Sequence, residues 1–194
     1  MLFRSAGITT ESIRALGTLQ ISTLTEAQLK ALTISQIDAL NAEQISALDL
    51  SLLSSAQIGA INYDQASALS SQQVQGISSA AISSFSSEKI NQIINFNGLS
   101  ASQVPNVTTE QISRLTSQQI SVISADTFGV MTSTQIASLS AEQFAVLSTS
   151  QISVLPTLGI AALTAEILQQ LSTEQISAFT NLQIPAINTA AIAG

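Results

Sequence analysis

The chain has no histidine, no cysteine and no tryptophan, a single tyrosine, and three prolines in 194 residues. Without His and Cys it lacks the commonest general base, the commonest metal ligand, the thiolate nucleophile and any disulfide framework. Charge is scarce as well, at 9% of residues where roughly a quarter is usual. The five bases, Arg4, Arg14, Lys30, Lys89 and Arg114, cluster nowhere and face twelve acids, for a net charge of -7. That balance argues against a nucleic-acid partner and against an anionic membrane surface. No apolar run approaches the roughly eighteen residues of a membrane span, so no membrane insertion is expected. Met1-Leu2-Phe3-Arg4 lacks the apolar core of a secretory signal. An exported protein would then use another route or be a mature or excised piece.

Apolar residues are not scarce. They make up 45% of the chain, too many for intrinsic disorder. With so little charge to keep surfaces apart, association with itself or a partner is expected.

The order of these residues repeats. Thr25-Glu26-Ala27-Gln28-Leu29-Lys30-Ala31-Leu32 is followed by Thr33-Ile34-Ser35-Gln36-Ile37-Asp38-Ala39-Leu40 and by Asn41-Ala42-Glu43-Gln44-Ile45-Ser46-Ala47-Leu48. With positions lettered a to h, octads fill 9–48, 54–93 and 100–194, giving 5 + 5 + 12 = 22, the last one residue short. Residues 49–53 and 94–99 break the register. They remain apolar and are expected at kinks or corners of a coil. Position e is apolar in all 22 octads and h in all 21 that have it. Position a is Ser or Thr in 17, and d is Gln in 15.

Ser or Thr at a with Gln three residues later is the pattern of a capping box, and the apolar pair at h and e matches a hydrophobic staple. Nine of the twelve acids occupy c, where they meet the positive end of a helix dipole. A continuous helix is excluded: at about 100° per residue, eight residues leave the apolar stripe some 80° out of phase each repeat. A plain strand places e and h on opposite faces. The spacing therefore predicts an all-α solenoid, a single repeat domain over 1–194 with one very short capped helix per octad. Pro105 and Pro185, both at f, fit helices that end early. Ordering one octad costs about 8–16 kcal/mol, while two buried aliphatics and a cap return roughly half of that. Octads should fold only when stacked, with small residues at g allowing close approach. A β-solenoid is the alternative, favoured by Ile, Thr and Ser but short of the turn residues such a coil needs.

The string L-[ST]-x-x-Q-[IV]-x-A-L resembles the tandem LTxxQIxAL repeats of very large bacterial secreted or surface proteins, from Thr9 to Gly194. The resemblance implies an extracellular bacterial scaffold, an adhesin stalk or filament, and transfers no catalytic residue. No catalytic, cofactor or metal site is expected, and the chain does not read as an enzyme. Lys89 beside serines reads as a solvated side chain at d rather than half of a Ser–Lys pair. Glu166 and Glu174, eight apart, would offer calcium a carboxylate column if stacked, and otherwise face water as helix N-terminal charges. Asn106-Val107-Thr108 has the form of a glycosylation sequon, which the repeat also generates by chance, and Tyr63 at b is expected to be exposed.

Two functional expectations follow. The first is head-to-tail self-assembly into a filament or surface stalk, with Leu2, Phe3, Ile187 and Ile192 as the suspected self-association ends. The second is a non-catalytic binding or adhesin segment that takes a surface or glycan partner, although b and f offer few residues of the kind that dominate interfaces. A flat Ser/Thr array for ice binding is disfavoured, because the hydroxyl at a already serves as a cap.

Overall fold

A computed structural model describes residues 9–93 and 98–189. Among them the chain is an all-α solenoid without strands. Helices α1 (Thr10–Arg14) to α19 (Thr173–Ser177), numbered in chain order, run four to seven residues each. One octad makes one helix of little more than a turn, as the capping pattern predicts.

The caps take the form read from the sequence. In α14 (Ser133–Ala137), Thr132 has extended backbone, its hydroxyl accepts the Gln135 N–H at 3.2 Å, and Gln135 Oε1 accepts the Thr132 N–H at 2.8 Å. The same reciprocal pair closes α3 (Glu26–Lys30), α6 (Ser55–Ala60), α15 (Ala141–Ala145) and α19. Where f is proline the helix tightens. Val104–Asn106 and Ile184–Ala186 are single 3-10 turns, because proline has no N–H for the α-type bond.

The chain forms two compact units, an N-terminal one running to Asn106 and a C-terminal one from Val107. In the C-terminal unit each helix from α14 (Ser133–Ala137) onward packs on the helix three octads earlier. One side of the coil stacks α11 (Thr109–Ser113), α14 and α17 (Thr157–Ile160). A second stacks α12 (Ser117–Ser121), α15 and α18 (Ala165–Gln170), and a third stacks α13 (Ala125–Gly129), α16 (Thr149–Ser153) and α19. Each turn thus has three sides of one octad, 24 residues in all (132 − 108).

The N-terminal unit follows the same plan. Its sides are α1, α4 (Ile34–Ala39), α6 and α9 (Ser79–Ile82); α2 (Thr18–Ser22), α5 (Ala42–Ser46), α7 (Tyr63–Ser67) and α10 (Ser87–Ile93); and α3, the 3-10 helix Leu50–Leu52 and α8 (Ser71–Gly76). The third side corrects the expectation for residues 49–53. They are not a corner but a whole side in five residues, lying between α3 and α8. Asp49 caps the 3-10 turn through the Ser51 N–H, while Leu50 and Leu53 are buried as e and h are elsewhere. Of the second register break, residues 94–97 lie outside the described residues; Leu99 is buried.

The core is the inside of the coil. At e, Ile112, Ile120, Phe128, Ile136, Phe144, Ile152 and Ile160 are all 0% exposed, and h residues such as Leu115, Leu139, Leu147 and Leu155 are buried beside them. Tyr63 at b is exposed at 52%.

Candidate interaction surfaces

The corners hold the polar chemistry of the fold. Gln143, Gln151, Gln175 and Gln183 are buried although glutamine is ordinarily a surface residue. Their oxygens serve the caps, and their nitrogens reach the turn beneath. Gln175 Nε2 donates to the Ala145 and Leu147 carbonyls at 3.1 and 2.8 Å, and Gln183 Nε2 to those of Ile152 and Leu155 at 2.8 and 2.9 Å. The carbonyls lie at or just beyond the end of a short helix, where the regular helical ladder has run out. Each corner glutamine thus satisfies one helix start and the helix end below it, with each bond worth about 1 kcal/mol net.

The reach of the amide records the length of the turn. For Gln143, Gln151, Gln175 and Gln183 the accepting e and h residues lie 31 and 28 positions back. For Gln57, whose turn contains the five-residue side, Leu29 and Leu32 lie 28 and 25 back, three fewer, the difference between eight and five. For Gln103 the partners Val74 and Ile77 lie 29 and 26 back, two fewer, as a six-residue break requires.

Lys89 takes the glutamine's place in its octad. Its Nζ donates to the Gly59 carbonyl at 2.9 Å across one turn. It is a corner donor and only partly solvated, which corrects the expectation of a solvated side chain. Glu166 and Glu174 lie on different sides of the coil, since stacking joins residues 24 apart and not eight. They form no carboxylate column, and no group of three or more acids suited to a metal ion occurs among the described residues. The Glu174 carboxyl is held below the usual carboxylate range by its own backbone N–H and by the Ser172 hydroxyl, as suits a helix N-terminus. Asn106 is half-buried, and its side-chain amide donates to the Ser102 carbonyl at 3.1 Å.

Three surfaces depart from the repeat. Beside the five-residue side, the missing residues leave a cavity of about 350 Å³ lined by Leu48, Asp49, Leu50, Ser51, Gln72, Gln73 and Gly76. On one side of the C-terminal unit, Leu158 and Leu182, stacked at c, are 75% and 81% exposed. The third is the last described turn. Ile176 and Ile184 occupy position e yet are 45% and 53% exposed, because no helix among the described residues packs over them. Of the suspected self-association ends, Ile187 is half-buried beside this edge; Leu2, Phe3 and Ile192 lie outside the described residues. Composition and spacing marked e as core everywhere, so the exposure of Ile176 and Ile184 carried no signal in the sequence.

No protein-family model matches the chain, and no curated protein is significantly similar to it.

Proposed function

We propose that this protein is a non-catalytic structural scaffold that assembles with itself, end to end, into a filament or a surface stalk outside a bacterial cell. The observation that carries the reading is the contrast at position e. Interior turns bury these residues completely, whereas Ile176 and Ile184 stand open on an edge of the coil. That edge has the chemistry of every interior interface, so what fits it best is another turn of octads. The extracellular bacterial setting rests on the resemblance of the octad to repeats of large secreted and surface proteins. A coil whose sides carry mainly Ser, Thr and Ala is suited to spacing and bearing load rather than to reaction chemistry.

The test is electron microscopy of the purified 194-residue chain over a concentration series at neutral pH. Fibres with a uniform axial repeat are expected. Discrete monomers at every concentration would sink the self-assembly reading. A second reading, an adhesin segment that binds a glycan or surface partner, is favoured by the cavity beside residues 49–53. It predicts saturable binding that an Asp49→Lys substitution abolishes.

A further inference from the structure

One corner of the N-terminal unit has lost the bond that closes the others. At nine corners a glutamine amide holds the h carbonyl of the turn beneath at 2.6–2.9 Å, from Gln44 on Leu16 to Gln183 on Leu155. Gln73 does not. Its Nε2 donates to the Ser46 carbonyl at 2.9 Å but stands 3.5 Å from that of Leu48, where little of a hydrogen bond remains. The cause is the five-residue side. Asp49, which opens that side, has ψ 98°, whereas Ser70 in the turn above keeps 156°. The chain therefore leaves the two corners in different directions, and the Leu48 carbonyl falls away from the amide.

The cavity of about 350 Å³ lies at this corner, between the five-residue side and α8. We propose that it binds one neutral sugar ring of a glycan, held through its hydroxyl hydrogens by the Leu48 carbonyl and the Asp49 carboxylate. This rests on the adhesin reading and names the ligand of that site. Asp49 Oδ1 accepts the Ser51 N–H and hydroxyl at 3.0 and 2.6 Å, which leaves Oδ2 without a partner among the described residues. Gln72, exposed at c, also lines the cavity, and its amide has no partner among them either. A carbonyl, a carboxylate and a carboxamide offer mainly lone pairs, so the ligand must bring donors. An anion would meet the Asp49 charge in a chain of net charge -7. The walls are apolar where Leu48 and Leu50 line them, and the volume lies at the lower end of the range of about 300–1,000 Å³ for small-molecule sites. A pyranose combines several hydroxyl donors with a C–H face and matches both kinds of wall. Calcium would find one carboxylate here, well short of the roughly six to eight oxygens it takes, in a space much larger than an ion.

The test is saturation-transfer NMR of the full chain with methyl glucoside, methyl galactoside and methyl mannoside, beside binding of the chain to immobilised glycans. Saturable transfer to the ring protons of at least one pyranoside is expected. Asp49→Asn keeps an acceptor for Ser51 but turns the second oxygen into a donor, and should weaken binding by about tenfold or more. Gly76→Leu should abolish it by filling the cavity. A Cβ at Gly76 would lie 4.0 Å from the Ser51 Cβ, an ordinary contact, and no glycine among the described residues has left-handed backbone, so the fold should accept the side chain. Circular dichroism of both variants should match the parent chain. Asp126→Asn, which removes an exposed carboxylate at c in α13, is the control and should leave binding unchanged. Glycan binding that Gly76→Leu leaves undiminished would overturn the cavity as the site and spare the adhesin reading. No binding to sugar in either format would overturn both. Calcium chloride that shifts the Asp49 and Ser51 amide resonances, with no response to any pyranoside, would overturn the proposal in favour of an ion.

Discussion

The side-chain amide of Gln143 donates to the Leu115 carbonyl at 2.6 Å, 28 residues earlier, while its oxygen accepts the Ser140 N–H at 2.8 Å. One residue therefore closes the start of its own helix and the end of a helix in the turn beneath. A carboxylate can perform the first task and not the second. This divides the capping-box residues, among which Glu and Gln are otherwise equivalent.

Gln143→Glu should accordingly destabilise the chain although it preserves the capping motif. The new carboxylate is buried and faces the Leu115 carbonyl, at a cost of at least about 2 kcal/mol at pH 7. Burial and the facing carbonyl raise its folded-state pKa above the unfolded value of about 4.3. The folded state then holds the proton more tightly, so the penalty is absent at low pH and grows as pH rises through the folded pKa. Denaturant midpoints at pH 7 and pH 5 check this, with the deficit shrinking at pH 5. Gln118→Glu, an exposed change at c in α12, should be neutral or slightly stabilising. Equal loss from both substitutions would refute the corner role.

Much of this fold is legible in the octad, and what is hidden has a physical reason. The hydroxyl at a, the glutamine at d and the apolar residues at e and h are signals within eight residues, so helix starts and the inward face follow directly. The number of sides per turn does not, because it depends on the angle at each corner, and the corner's second bond ends 28 residues away. One trace of it exists. Position d is Gln in 15 octads and never Glu, although Glu is common one place earlier at c. A capping box alone does not demand that, whereas an amide nitrogen with its own acceptor does. The expectation that residues 49–53 form a corner failed for a related reason: Leu50 and Leu53 span a side in five residues, which a search for whole octads passes over.

Lys89 offers the converse substitution. Its ammonium reaches the Gly59 carbonyl at 2.9 Å, where other octads of this kind place a glutamine amide. Lys89→Gln should match or exceed the parent chain in stability, because the neutral amide restores both the cap acceptor and the donor. Lys89→Met keeps the length and removes the donor, and should cost about 1 kcal/mol. Urea midpoints for the pair decide it. A Lys89→Met variant as stable as Lys89→Gln would show that the bond contributes nothing.

Gly159 at d in α17 marks a closer contact between turns. A Cβ there would lie 2.9 Å from Ile136 Cβ and 3.0 Å from its Cγ2. Gly159→Ala therefore trades a helix-propensity gain of up to about 1 kcal/mol against an overpacking penalty of about 1–3 kcal/mol. A net loss is expected. Trimming the partner, as Gly159→Ala/Ile136→Ala, should show favourable coupling between the two sites. Gly129→Ala is the contrast, since its nearest neighbours would be Val154 atoms at 3.8 Å, an ordinary contact. That variant should be neutral or more stable. Thermal denaturation of these three proteins, Ile136→Ala and the parent chain provides the check, and a stabilised Gly159→Ala would rule out the close approach.

The five-residue side yields the sharpest test of what a side requires. If a side needs only a cap at one corner and two buried residues along its length, Asp49–Leu53 is a complete side and a full octad in its place should be accepted. Replacing it with Ser-Ala-Glu-Gln-Ile-Ser-Ala-Leu restores the 24-residue turn and adds chain beside the present cavity. Helicity per residue should hold, and stability should hold or rise. Inserting a single residue between Gln143 and Phe144 should do the opposite, since it separates the cap from the buried e position and moves Phe144 off the core, where it is 0% exposed. Removing so large a buried side chain from the core costs about 3–5 kcal/mol. Circular dichroism and urea unfolding separate the two designs. If the octad replacement proved the more damaging, the sides would not be interchangeable units, and the short one would be set by something other than the geometry of the coil.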